Sequence, residues 1–167
     1  MYQQLTPIDS LPWTSLVRTT SATADAGQVR LASHVYPAAT LVAMHPELKA
    51  LDGLDELDRV LAASNDRLLL LFKYSATCGT SAEALDELVA HLNESKADAT
   101  YAMVTVQTHR DVSNAVARKL GVRHETPQVL LIRDGRVIWS ASHFRVTAAV
   151  LEEALREAIN RSQPTVQ

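Results

Sequence analysis

LLLLFKYSATCGTS, residues 68–81, is the stretch that decides the fold. Every residue from Leu68 to Phe72 is apolar, Lys73 follows, and polar residues bound the run on either side. So short and unbroken an apolar segment predicts a strand buried on both faces, and such a strand needs other elements packed above and below it. After it, Leu85, Leu88, Val89 and Leu92 fall at i, i+3, i+4 and i+7 and predict an amphipathic helix over residues 79–93. Residues 101–106 supply the next strand. Strand, helix and strand in this order make a right-handed crossover between parallel strands.

The same signals continue on both sides. Upstream, Leu54, Leu57, Val60 and Leu61 share a helical face after Asp52-Gly53, and Ser64-Asn65-Asp66 ends it. Downstream, Asp111 is placed to cap a helix carrying Val112, Ala115, Val116 and Leu120, and Gly121 occupies the position after it that favours a left-handed residue. Residues 129–132 and 137–140 flank Asp134-Gly135, a type I′ turn dipeptide, and are expected to pair as an antiparallel hairpin. Thr147 caps a last helix with the apolar face Val150, Leu151, Ala154, Leu155, Ala158 and Ile159. The order α-β-α-β-α-β-β-α is that of the thioredoxin-like folds. The expected class is α/β in three layers, with a central mixed sheet built from a parallel β-α-β unit and an antiparallel hairpin.

The chain has 167 residues, 47% of them apolar, enough for one hydrophobic core and a surplus segment. The domain is expected over residues 47–162, followed by a tail, 163–167. Residues 1–46 hold four of the six prolines and, up to Met44, only four charged side chains, Asp9, Arg18, Asp25 and Arg30. Within them Val29, Leu31 and Val35 alternate weakly and residues 39–44 are apolar, which suits short strands, whereas 19–27 reads as loop. This segment is an N-terminal extension whose order the sequence leaves undefined.

A net charge of −3 provides no basic field for nucleic acid, and 5% aromatic residues argue against stacking platforms for bases. The longest apolar run falls far short of the roughly 20 residues that span a bilayer. No basic stretch with a following apolar region opens the chain, so a cytoplasmic monomer without membrane contact is expected. The single cysteine, Cys78, excludes an intrachain disulfide, and histidines at 34, 45, 91, 109, 124 and 143 lack metal-ligand spacing. No metal and no tightly bound cofactor are therefore expected. Five glycines form no phosphate loop, and no Ser-His-Asp set is recognisable, which leaves the thiol as the chemistry.

Cys78 falls between the end of the buried strand and the first turn of the helix, where unpaired N–H groups and the helix dipole stabilise an anion. Cysteines at such sites have pKa values of roughly 3.5 to 7.5. A free cysteine is often inert packing, but the polar flanks Thr77, Gly79, Thr80 and Ser81 favour a reactive thiol. Ser81 stands where a dithiol C-x-x-C protein has its second cysteine. With a hydroxyl there, a mixed disulfide on Cys78 has to be resolved by an outside thiol. Ser81 itself reads equally as a hydrogen-bond partner of the thiolate and as a plain first-turn residue.

Thr126-Pro127 precedes the hairpin by one residue, and in this order of elements the proline faces the cysteine. A cis bond is expected there, leaving the Thr126 backbone to pair with an extended disulfide substrate. His109-Arg110, Arg123-His124 and His143 with Arg145 fall near strand ends, where they could meet a negatively charged thiol ligand, although each alone reads as a solvated loop charge. Glu125 is either a surface carboxylate or a partner that tunes a neighbouring histidine.

Four blocks, FKYSATC (72–78), Val106 with RDVSN (110–114), GVRHETPQ (121–128) and WSASH (139–143), resemble the monothiol bacilliredoxins of the YtxJ family. The resemblance covers about half of the chain. It implies a thioredoxin-like fold and a monothiol thiol-disulfide oxidoreductase that removes bacillithiol, or a similar low-molecular-weight thiol, from S-thiolated cytosolic proteins. Cys78 would then be catalytic, with the small thiol as co-substrate. The candidate residues for binding the thiol or the substrate are Thr77, Gly79, Thr80, Ser81, Arg110, Arg123, His124, Thr126, Pro127 and His143. Bacillithiol carries malate carboxylates, which would give Arg110, Arg123, His124 and His143 a partner. The sequence departs from the family in Gly79, where proline is usual, and in Thr126, where serine is usual. Gly79 keeps an N–H that proline would lack. Cys78-Gly79-Thr80-Ser81 is also similar to the Cys-Gly-x-Ser motif of monothiol glutaredoxins, which implies an iron–sulfur carrier as an alternative. A redox-silent thioredoxin-like binding domain is a third reading, and it requires Cys78 to be buried or of ordinary pKa.

Overall fold

A computed structural model describes residues 45–162. The elements in chain order are β1 (Leu48–Ala50), α1 (Leu54–Ala63), β2 (Leu68–Tyr74), α2 (Gly79–Glu94), β3 (Ala99–Thr105), α3 (Arg110–Leu120), β4 (Gln128–Arg133), β5 (Arg136–Ser142), a 3-10 turn (His143–Arg145) and α4 (Ala148–Ser162). The five strands form one sheet in the order β1-β3-β2-β4-β5. β3 is parallel to both β1 and β2, whereas β4 is antiparallel to β2 and to β5. The mixed sheet, with its parallel crossover and antiparallel hairpin, is the expected thioredoxin-like one.

All seven residues of β2 are buried. Leu68, Leu70, Phe72 and Tyr74 pack into a core shared with Leu85, Leu88 and Leu92 of α2 and with Leu151 and Leu155 of α4. Leu69 and Leu71 face the other way, into a core with Leu57 of α1 and Val112, Ala115 and Val116 of α3. The alternation of a pleated strand therefore feeds two hydrophobic layers at once. Fully burying each of these side chains contributes about 1.5–3 kcal/mol relative to exposure, which makes the central strand the joint between the layers.

Local signals set the joints between elements. Asp134 and Gly135 have φ of 51° and 66°, the left-handed pair a type I′ turn requires. That turn is tied to the end of α1, because the Asp134 and Gly135 amides donate to the Ser64 carbonyl and hydroxyl, each at 3.0 Å. The Thr147 hydroxyl accepts from the Val150 amide at 3.4 Å as an N-cap, and Glu87 of α2 accepts from the Ala148 amide at 2.7 Å, so α4 is capped from two sides.

Three expectations are corrected. The three-residue strand β1, with Leu48 in register with Tyr101, is too short to leave a periodic signal and was not anticipated. His109 rather than Asp111 is the N-cap of α3, with no side-chain capping bond; Asp111 lies in the first turn, where its carboxylate meets the positive end of the helix dipole. The middle strand begins two residues earlier than predicted, at Ala99, and ends at Thr105. Val29, Leu31, Val35, residues 39–44 and the tail 163–167 lie outside the described residues.

Parallel pairing of β2 with β3 and antiparallel pairing with β4 bring the end of β2, the end of β3 and the start of β4 to one edge of the sheet. Lys73 is the Cα partner of Gln128, and Gln128 is the partner of Ser142 at the end of β5. The segments 75–78, 106–109, 123–127 and 143–145 therefore converge there, as loops at strand ends do in open α/β sheets.

One glycine controls entry into this region. Gly121 ends α3 at φ 64°, and a Cβ added there would meet nothing within 4 Å. Gly121→Ala should therefore carry only the left-handed backbone penalty and lower unfolding stability by about 1–2 kcal/mol, read from the urea midpoint at unchanged slope.

Candidate active site

Cys78 is half-buried and is the N-cap residue of α2, with extended backbone (φ −116°, ψ 117°). Its sulfur makes no side-chain capping bond. The Ser81 amide, acting against the effect of burial and helped by the Ser81 hydroxyl and the Thr80 amide and hydroxyl, holds the thiol pKa below its ordinary value. This is the anion-stabilising helix start expected from sequence, and it runs against the redox-silent reading. Gly79 is the first residue of the helix, and its amide is not among the groups that lower the thiol pKa.

Ser81 lies in the first turn of α2. It is fully buried, its hydroxyl accepts from the Ser75 amide at 3.3 Å, and the same hydroxyl favours the thiolate. Gln107, from the β3–α3 loop, braces the segment before the cysteine. Its Oε1 accepts from the Ala76 amide at 3.0 Å, and its Nε2 donates to the Ser75 and Thr77 hydroxyls at 2.6 and 3.1 Å. Thr77 is exposed and belongs to this brace.

The Thr126–Pro127 peptide is cis, as expected. Among the described residues the Thr126 amide has no hydrogen-bond partner. The Pro127 carbonyl accepts from the His143 amide at 3.0 Å, and His143 adopts the left-handed conformation (φ 54°) that side chains rarely take. Thr80, Glu83 and Ala84 of α2 line a small cleft with His143, Phe144 and Val146, so the first turn of the cysteine helix and the turn behind the cis proline form one surface. Phe144 stands 80% exposed beside it.

Cations gather on the α3 side. Lys73, fully buried in β2, lies 2.8 Å from Nδ1 of the exposed His124. Burial brings the Lys73 pKa down to about 8, against the pull of the Glu125 carboxylate. His124 is held below the ordinary imidazole value by burial and then by the Lys73 and Arg110 charges. Glu125 is pushed down first by the Ser142 hydroxyl and then by the His143, Arg123 and Lys73 charges, which places it among the basic groups rather than alone on the surface. Arg110 and Arg123 are exposed.

Two other basic residues are engaged elsewhere. His109 Nε2 lies 3.7 Å from an Asp52 carboxylate oxygen, and Arg145 lines a separate groove with Trp139 and Glu153 between β5 and α4. Sequence reasoning missed Lys73, Gln107 and Phe144. Of these Lys73 had a visible signal, a charge at the end of an otherwise apolar buried strand. Among the described residues no group of three or more His, Cys, Asp or Glu side chains could hold a metal ion, and no helix is long and apolar enough to cross a membrane.

A thiol at a helix start, a cis proline and a hydroxyl in place of a second thiol, set on this sheet, define a thioredoxin-fold protein of the redox class with a single cysteine. Residues 49–151 match the family model described as monothiol bacilliredoxin BrxC, and the chain belongs to the monothiol bacilliredoxin family. Solved structures agree on the fold. A protein assigned as an oxidoreductase with a thioredoxin fold is similar at 28% identity and a TM-score of 0.59, over 66% of this chain and 96% of that one. A mutant thioredoxin h from poplar is similar at 17% identity and a TM-score of 0.57, over 71% and 87%. A mutant thioredoxin from Halobacterium salinarum NRC-1 is similar at 22% identity and a TM-score of 0.53, over 66% and 89%.

The thiol pKa is directly measurable from the pH dependence of iodoacetamide alkylation. In the native protein the rate should reach half its maximum at a pH below that of the unfolded chain, whose thiol titrates near ~8.5. Ser81→Ala should move the native midpoint upward but not to the unfolded value, because the Ser81 amide, the leading cause of the shift, remains.

Proposed function

We propose that the protein is a monothiol oxidoreductase that takes bacillithiol, or a closely similar anionic low-molecular-weight thiol, off S-thiolated cytosolic proteins. The observation that carries this reading is the pairing of a pKa-lowered, half-exposed Cys78 with the buried hydroxyl of Ser81 at the place of a resolving thiol. Such a site can accept a small thiol in exchange and has no internal means of expelling it.

In the first step the Cys78 thiolate attacks the bacillithiol sulfur of the mixed disulfide. The bond between bacillithiol and the substrate protein breaks, a Cys78–bacillithiol disulfide forms, and the protein sulfur leaves as a thiolate that takes a proton from solvent. In the second step an outside thiolate attacks the bacillithiol sulfur, forming a small-molecule disulfide and returning Cys78 as thiolate. The Ser81 and Thr80 amides stabilise Cys78 as nucleophile in the first step and as leaving group in the second. The unpartnered Thr126 amide offers a backbone hydrogen bond to an extended substrate. Arg110, Arg123, His124 and His143 are the groups we assign to the malate carboxylates of the thiol, through charge-assisted hydrogen bonds.

Mass spectrometry after incubation with a bacillithiolated protein tests the proposal. The wild type should gain one bacillithiol per chain while the substrate loses one, and Cys78→Ser should gain none. Ser81→Cys should acquire the adduct only transiently and end as an internal disulfide, two mass units lighter than its reduced form. A wild type that leaves the substrate bacillithiolated overturns the reading.

A further inference from the structure

Among the described residues Lys73 is the one Lys, Arg, Asp or Glu that is fully buried, and it forms no ion pair within 4 Å. Buried charges are normally paired, because removing an ammonium group from water is not repaid by packing. The carboxylate that acts on Lys73, Glu125, is held by the Ser142 hydroxyl and shared with His143 and Arg123. The direct partner is instead His124 Nδ1 at 2.8 Å. An ammonium can only donate, so Nδ1 accepts and the neutral ring carries its proton on Nε2, which has no partner among the described residues. Gln128, the cross-strand neighbour of Lys73, is buried, donates Nε2 to the Arg123 carbonyl at 3.0 Å, and has an Oε1 without a partner among the described residues. The polar cluster beneath His124 is therefore incomplete in charge and in hydrogen bonds.

We infer that Lys73 is the positioning residue of a carboxylate site, fixing His124 with its Nε2–H free to donate and supplying, with the adjacent Arg110, the positive field that receives a carboxylate of the thiol delivered to Cys78. The inference deepens the proposed function and rests on it. It explains why a lysine occupies a strand position whose neighbours along the same face, Leu69 and Leu71, are core leucines. A lysine there for structure would need a counter-ion, whereas one there for a ligand is left without it until the ligand arrives. His124, exposed above it, is the contact the ligand reaches first.

The test compares exchange of Cys78 with two small disulfides, the dicarboxylate-bearing mercaptosuccinate disulfide and the neutral bis(2-hydroxyethyl) disulfide. Lys73→Met and, as a second variant at an exposed position, His124→Ala should each lower the ratio of the two kcat/KM values about tenfold, or about 1.4 kcal/mol, through KM for the dicarboxylate. Lys73→Met should melt at or above the wild-type temperature, since it replaces an unpaired buried charge by a hydrophobe. An unchanged ratio in both variants, or a Lys73→Met protein with a lowered melting temperature and equal losses toward both disulfides, overturns the assignment. A wild type that leaves bacillithiolated protein untouched, with both variants still losing the preference for the dicarboxylate disulfide, sinks the proposed function and leaves Lys73 as the carboxylate site for another anionic thiol. A wild type that removes bacillithiol while both variants keep the wild-type ratio sinks the Lys73 site alone.

Discussion

The structure depends on a strand that has no wet face. Because β2 is buried along its whole length, it can exist only between two helical layers and between two neighbouring strands. That constraint requires α2 and α4 on one side and α1 and α3 on the other. It also delivers the chain, at the end of the strand, to an edge where four connecting segments meet. Cys78 sits where the backbone leaves the core and the helix of α2 begins. Burial of β2 and the lowered pKa of Cys78 are thus consecutive results of one piece of chain.

Charge around this edge is divided by the sheet's end into two kinds of support. On the α2 side the thiolate is favoured by backbone and hydroxyl dipoles, which carry no net charge. On the α3 side the support comes from full charges, Lys73 and Arg110, with His124 between them and Glu125 at their border. Dipoles suit a sulfur whose charge appears and disappears during exchange. Cations suit the permanently ionised carboxylates of the thiol proposed as ligand.

Much of this was legible because it is written in short range. Asp134-Gly135, Gly121 and Thr147 each report a backbone geometry through their own chemistry, and the 3.6-residue spacing of Leu85, Leu88 and Leu92 reports a buried face. The position of Cys78 followed from knowing where the strand ends. What escaped was short or long in range. β1 has three residues, too few for any pattern. The Gln107 brace spans about thirty residues of sequence, and the Lys73–His124 contact joins residues 51 apart, so no local spacing encodes either. The left-handed backbone of His143 was equally hidden, since His143 is followed by Phe144 and Arg145 rather than by a glycine that would mark a turn.

The hydroxyl of Ser81 has a consequence for how the protein ages in an oxidising cell. A thiolate that meets peroxide becomes a sulfenic acid, and a neighbouring cysteine would normally close it into an internal disulfide. This chain has no other cysteine, so its oxidised sulfur has no internal thiol to condense with and is left to a thiol from outside or to a backbone nitrogen. When the outside thiol is a small one, that capture leaves the same kind of adduct as the turnover proposed above.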